Sequence, residues 1–259
     1  MAFYWVLIRK SYLSNLQYRA AHMINNLGSM LFGLMFIAIW QGTLGEGRQV
    51  VGFGGQEMGQ YIAFTQSILF QTKFLQRGFG MDEGIRTGSI SLQLMRPVSF
   101  FGYYLAFCAG SQAYNLFFRT VPLLLIFALF VGLPDFSWSM WLPLAGSVAM
   151  AFYLGFLMNY FVGVAAFWTK DIRWSFIVFY TLNTTLSGFM VPLPVMPGVI
   201  GDIVPYLPWS GMNYYPVMTY LGHSSVRGFV IPLIWCAVLT VVALLITRRA
   251  RSQMEVQGG

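Results

Sequence analysis

An all-α polytopic membrane protein is the fold class this sequence predicts, and three observations carry it. The chain has 259 residues, of which 57% are hydrophobic and only 9% charged, more apolar surface than one soluble core of that length buries. Six windows approach the roughly 20 mainly apolar residues that a bilayer-spanning helix needs: 20–44, 58–75, 112–132, 140–168, 175–191 and 228–247. The basic residues fall mostly in alternate gaps between these windows.

The chain opens MAFYWVLIRK, with apolar residues ahead of the charges, the wrong order for a cleaved secretory signal. Trp5, Ile8, Tyr12 and Leu16 recur at helical spacing beside Arg9 and Lys10. That pattern predicts an amphipathic elbow helix over 1–19, lying in the membrane interface.

Charge sets the direction of the crossings. With the N-terminus in the cytoplasm, six spans place Arg9, Lys10, Arg19, Lys73, Arg77, Arg86, Arg96, Lys170, Arg173, Arg248, Arg249 and Arg251 inside and leave only Arg48 and Arg227 outside, with Arg119 in a span. This is a positive-inside distribution, with both termini cytoplasmic. Net charge is +7, but the basic residues are dispersed along juxtamembrane loops, so anionic lipid headgroups and not nucleic acid are the expected partners.

Polar residues inside the windows fall on faces. Gln56, Gln60, Ser67 and Gln71 lie within about 60 degrees on a helix; Tyr180, Asn183, Thr184 and Ser187 share another face, and Ser111, Gln112, Asn115 and Arg119 a third. Such faces either line a path for polar cargo, which would make Gln60, Ser67, Gln71, Asn183, Thr184 and Ser187 path residues, or hydrogen-bond helix to helix. Arg119 is expected to snorkel to phosphate.

Two connections stand apart. Residues 76–97 hold Asp82 and Glu83, suited to a helix N-terminus, with Gly80, Gly84 and Gly88 at every fourth position. Residues 192–227 carry six of the eleven prolines, which predicts broken helix. Pieces such as 195–207 and 213–221 are too short to cross and are expected to re-enter at the outer mouth.

Several chemistries are disfavoured. His22 and His223 lie on opposite sides by this topology, which argues against an intramembrane enzyme, and neither has metal-ligand spacing. No acidic residue lies in a confident span, which weakens proton-coupled carriage. There is no GxxxxGK[ST] loop, so any ATP and Mg would be bound by another chain. Cys108 and Cys236 sit in apolar surroundings and imply no disulfide framework. A channel or secondary carrier working alone remains an alternative.

The run IRTGSISLQLMRPVSFF resembles the loop signature of permeases of the type-2 ATP-binding-cassette exporter superfamily, and LQYRAAHMINNLGSMLFGLMFIAIW is similar to the opening of the same branch, the ABC-type-2 family transporter proteins. The resemblance implies one permease domain over 1–259 with six spans, an elbow helix, a coupling helix over 81–90 and re-entrant helices before the sixth span. It implies a dimer with a second copy or paralogue, two cytoplasmic ATPase subunits, no cofactor in this chain, and residence in a bacterial cytoplasmic membrane. Asp82, Glu83, Gly84, Ile85, Arg86, Gly88 and Arg96, with Lys170, Asp171 and Arg173 in a second loop, would meet the ATPase. Ser89 stands where relatives often carry an acid. Export of an amphipathic or hydrophobic substrate (drug, peptide or lipid-linked molecule) is the implied function, with no catalysis in this chain.

Overall fold

The structure, a computed structural model, describes residues 2–45, 48–50, 52–72, 77–95, 97–135 and 137–257, the last seven by backbone alone. Among them the regular structure is helix joined by turns and loops, with an isolated bridge between Val50 and Phe53. Among the described residues four helical runs are long and apolar enough to cross a membrane: Arg19–Leu44, Phe100–Val131, Trp138–Thr169 and Val226–Ala250. They contain α2 (Arg19–Leu44), α6 (Phe100–Asn115) continuing through a π-helical turn (Leu116–Thr120) into α7 (Val121–Val131), α8 (Trp141–Thr169) and most of α12 (Val226–Gln257).

The other two predicted spans are shorter helices. α3 (Gly55–Ile68) and α9 (Arg173–Leu186) have 14 residues each, about 21 Å at 1.5 Å per residue, against a hydrocarbon core of about 30 Å. α3 gives way to a turn at Leu69–Thr72, where the sequence passes from apolar residues to Gln71 and Thr72. α9 ends beside Gly188, whose φ of +76° admits a glycine and whose missing side chain leaves room for the Tyr61 hydroxyl.

Contacts sort the connections into two ends. At one, Glu57 of α3 pairs with His223, Tyr61 donates to the Gly188 carbonyl, and Val131 closes on Gly59. At the other, the basic end, Gly78 meets Gly163, the ring of Phe100 meets Phe167, and Tyr160 bonds Thr247. Both short helices share in this ordering: α3 starts at the first end and α9 at the basic end.

The third predicted span begins twelve residues late at 112 if read from hydropathy. The helix starts at Phe100, where the Ser99 hydroxyl accepts from the Gly102 amide and caps it. The run of 32 residues to Val131 is about 48 Å long, so its first turns overhang the apolar window. α1 (Ala2–Gln17) packs along that overhang: Tyr4 lies at Gly102, the Ile8 carbonyl at Gly110, and Ser11 and Asn15 bond Ser111. The packing seam of α1 is Tyr4, Ile8, Ser11 and Asn15, with Tyr12 edge-on to Tyr114, so Ile8 and Tyr12 of the stripe expected from spacing pack against α6 and Trp5 does not; Gly110 and the small Ser11 let the two backbones close. Trp5 points outward, 67% exposed.

The proline-rich stretch is broken as expected: α10 (Val199–Ile203), short 3-10 turns including Pro208–Gly211, and α11 (Tyr214–Tyr220). α10 exposes Val199 and Ile200, whereas α11 is wedged in the bundle with Tyr220 stacked on Phe64 at 4.3 Å. Gly211 lies against Leu154, near the middle of α8.

Candidate functional site

The segment expected to be one helix over 81–90 is two: α4 (Met81–Arg86) and α5 (Ser89–Leu94). Gly80 and Gly88 adopt φ of +72° and +75° and precede the two helices. Left-handed backbone there breaks the imagined glycine stripe, and only Gly84 lies inside a helix, with Ile90 packed over it. Asp82 and Glu83 occupy the first turn of α4 and Arg86 its last, matched to the helix dipole.

α4 separates two hollows. One, of about 710 Å³, is lined by Arg77, Asp82 and Arg86 on one side and by Lys170, Asp171, Arg173 and Phe176 on the other. The second, about 280 Å³, takes Glu83, Gly84, Ser89 and Gln93 with Tyr103 and Tyr104. The structure thus brings Asp82, Arg86, Lys170, Asp171 and Arg173 to one cleft and turns Glu83 and Gly84 to the other hollow. Ile85 is partly buried against the core and Gly88 shapes the turn. Arg96 lies outside the described residues.

The second loop is locally built. Lys170 takes a left-handed φ of 57° to end α8, the Thr169 hydroxyl donates to the Asp171 carbonyl, and the Arg173 amide donates to Asp171 Oδ1 at 2.8 Å. The Arg173–Asp171 ion pair is 3.9 Å long with both side chains exposed, so it adds little to stability. Arg77 spans the cleft, its guanidinium 5.1 Å from the Phe176 ring centroid.

The cleft is fastened to α8 by backbone contact. A Cβ on Gly163 would sit 2.5 Å from the Gly78 carbonyl oxygen and 2.8 Å from Met81 Sδ. A Cβ on Gly155 would sit 2.3 Å from the Thr72 carbonyl oxygen. Gly155 and Gly163, separated by about 80 degrees on the helix, therefore hold both described ends of the connection between α3 and α4.

That connection leaves α3 at a break whose polar backbone is enclosed. Asn115 donates to the Phe70 carbonyl at 3.1 Å and Gln112 to the Gln71 carbonyl at 2.9 Å; Gln71 Nε2 donates in turn to Thr120 at 3.2 Å. Non-helical backbone at membrane depth survives only when protein satisfies it, and these side chains do so.

The expected path residues are distributed differently. Gln60, Ser67 and Gln71 are buried; Gln60 approaches the Val131 carbonyl at 3.5 Å and Ser67 bonds its own helix at Ala63. Asn183 and Ser187 are fully buried, with Asn213 donating to Ser187 at 3.0 Å, while Thr184 bonds back to the Tyr180 carbonyl and Tyr180 itself is exposed. Neither amide atom of Asn183 has a partner. Gly155, Gly163, Phe176 and the Glu57–His223 pair were not singled out from sequence. The close approach of Gly78 and Gly163 had a weak trace in sequence, as glycines within apolar or loop segments, but their pairing is tertiary.

No curated protein matches the chain. The family model for ABC-2 family transporter proteins matches residues 27–258. With a helical, multi-pass architecture and that match over most of its length, this chain belongs to the ABC-2 family of transporter proteins.

Proposed function

We propose that this chain is the transmembrane subunit of an ATP-driven exporter, moving an amphipathic or hydrophobic substrate out across a bacterial cytoplasmic membrane under the power of separate ATPase subunits. The observation that carries the reading is the cleft formed by 77–86 and 170–177, two chain segments that meet at the basic end and are both tied to α8. A partner surface entering there would touch Asp82, Arg86, Lys170, Asp171 and Arg173 together. In this reading all six windows cross, α3 and α9 each as a short helix prolonged by irregular chain, α1 is the elbow, and the 192–227 segment re-enters from outside. Gly211 against Leu154 and the buried α11 support that last point.

The mechanical route follows from the fastenings. A push on α4 is delivered to α8 through Gly78 and Gly163, while the break at Leu69–Thr72 isolates the helical part of α3. α8 then carries the displacement towards Gly211 and α12. Two copies, or this chain and a paralogue, would form the conduit, with the buried Asn183 and Ser187 facing cargo only once the helices part. Both ATP and Mg would reside in the partner.

Inverted membrane vesicles test this. ATP-dependent uptake of a lipophilic cationic dye is expected for the wild-type chain with its partner, and loss of uptake for Gly84→Trp and Arg86→Glu despite normal insertion. Uptake that is unchanged in both variants, or that proceeds without ATP, contradicts the proposal.

A further inference from the structure

Arg119 stands in the π-helical turn between α6 and α7, and only 6% of it is exposed. Its Nε donates to Asn26 Oδ1 at 3.1 Å, and its guanidinium lies over the Phe70 ring at 3.1 Å from the centroid. Asn26 is itself oriented, since its amide nitrogen donates to the Phe118 carbonyl at 3.1 Å. Each of these partners is neutral. Arg119 Nη2 is buried with no partner, as is His22 Nδ1 on the neighbouring turn of α2. The ion pairs among the described residues lie elsewhere, at Arg173–Asp171 and Glu57–His223.

A buried cation without an anion is expensive in a low-dielectric setting. Its unfilled Nη2 donor also defines what would relieve the cost, because a guanidinium N–H makes a strong, charge-assisted hydrogen bond to a phosphate oxygen. The surroundings fix where such an anion comes from. Leu27, Phe117 and Phe118 border the residue and are exposed by 56%, 63% and 44%, as side chains facing acyl chains are. Arg19 is exposed and stands seven residues before Asn26 on the same face of α2, about 10 Å nearer the basic end. One cation thus sits at headgroup level and another a short way beneath it. A π-helical turn inserts an extra residue into the helix and is often found at functional positions.

We propose that Arg119, positioned by Asn26 and flanked by His22, binds the phosphodiester headgroup of an anionic lipid at the seam between α2 and the π-helical turn. The lipid supplies the missing counter-charge and ties α2 to the broken end of α3 through Phe70.

Native mass spectrometry of the full chain tests this, in micelles doped with equal amounts of phosphatidylglycerol and phosphatidylcholine. Wild-type protein is expected to retain phosphatidylglycerol selectively, and Arg119→Met to lose that retention by about tenfold, the order expected for one charge-assisted pair. If Arg119→Met fails to fold, Asn26→Ala keeps the charge but removes its orienting acceptor, and is expected to weaken retention with size-exclusion behaviour unchanged. Excess inorganic phosphate should leave the lipid in place. Equal retention by wild type and Asn26→Ala or Arg119→Met, equal retention of the two lipids, or displacement by inorganic phosphate would overturn the assignment. Lipid retention is read without ATP or a partner, so its failure is separable from failure of the transport reading.

Discussion

Single residues decide how closely the helices of this protein approach. Gly163 and Gly110 each face a backbone carbonyl at a distance no Cβ tolerates, 2.5 Å to Gly78 and 2.2 Å to Ile8. Gly28 has open space around it. Gly163→Ala and Gly110→Ala are therefore expected to lose about 1–3 kcal/mol through overpacking, and Gly28→Ala to be neutral or slightly stabilising in its helix, as read by thermal stability in detergent. His223 and Glu57 form a contact of another kind, a 2.5 Å pair with side chains 52% and 30% exposed. Exposure screens it, so a double-mutant cycle with His223→Ala and Glu57→Ala should return a coupling of no more than about 1 kcal/mol. A larger coupling would mean that the pair acts as a latch between α3 and the loop before α12.

At the level of elements, the broken end of α3 is held by side chains of α6 rather than by helix. Asn115→Leu removes the only donor described on the Phe70 carbonyl and buries that oxygen unpaired. A loss of about 1–3 kcal/mol is expected, measured by titrating unfolding with a denaturing detergent; an unchanged midpoint would show that the break is solvated. The polar residues concerned were visible in the sequence as faces at helical spacing, and Gln112 and Asn115 were correctly placed on one. Their job was not visible, because hydropathy reads 58–75 as continuous and says nothing of a turn at Leu69–Thr72. The same limit applies to α4 and α5. Three glycines at every fourth position fit a helix stripe, and only the backbone reveals that Gly80 and Gly88 are left-handed. The proline-rich stretch was legible for the opposite reason, since proline breaks a helix wherever it falls in the interior. The start of α6 was missed because its overhang is aromatic and covered by α1, and not because the capping serine was hidden.

For the whole molecule, membrane character and family were the most legible features, since apolar windows and a short loop signature are both local in sequence. What sequence could not supply is the mechanical connectivity. The contact of Gly78 in the basic-end cleft with Gly163 of α8, the contact of Thr72 with Gly155, and the enclosed break below α3 support the proposal that a docking event at α4 moves α8 first. Co-purified ATP hydrolysis tests that account most directly, because it requires no knowledge of the cargo. Full chain isolated from its native membrane in mild detergent should bring ATPase activity with it, and the charge reversals Arg86→Glu and Arg173→Glu together should reduce that activity by at least about tenfold, the loss expected when more than one interfacial charge contact is removed, while the chain itself stays folded. ATPase activity absent from the wild-type preparation, or retained in full by the reversed chain, would contradict it.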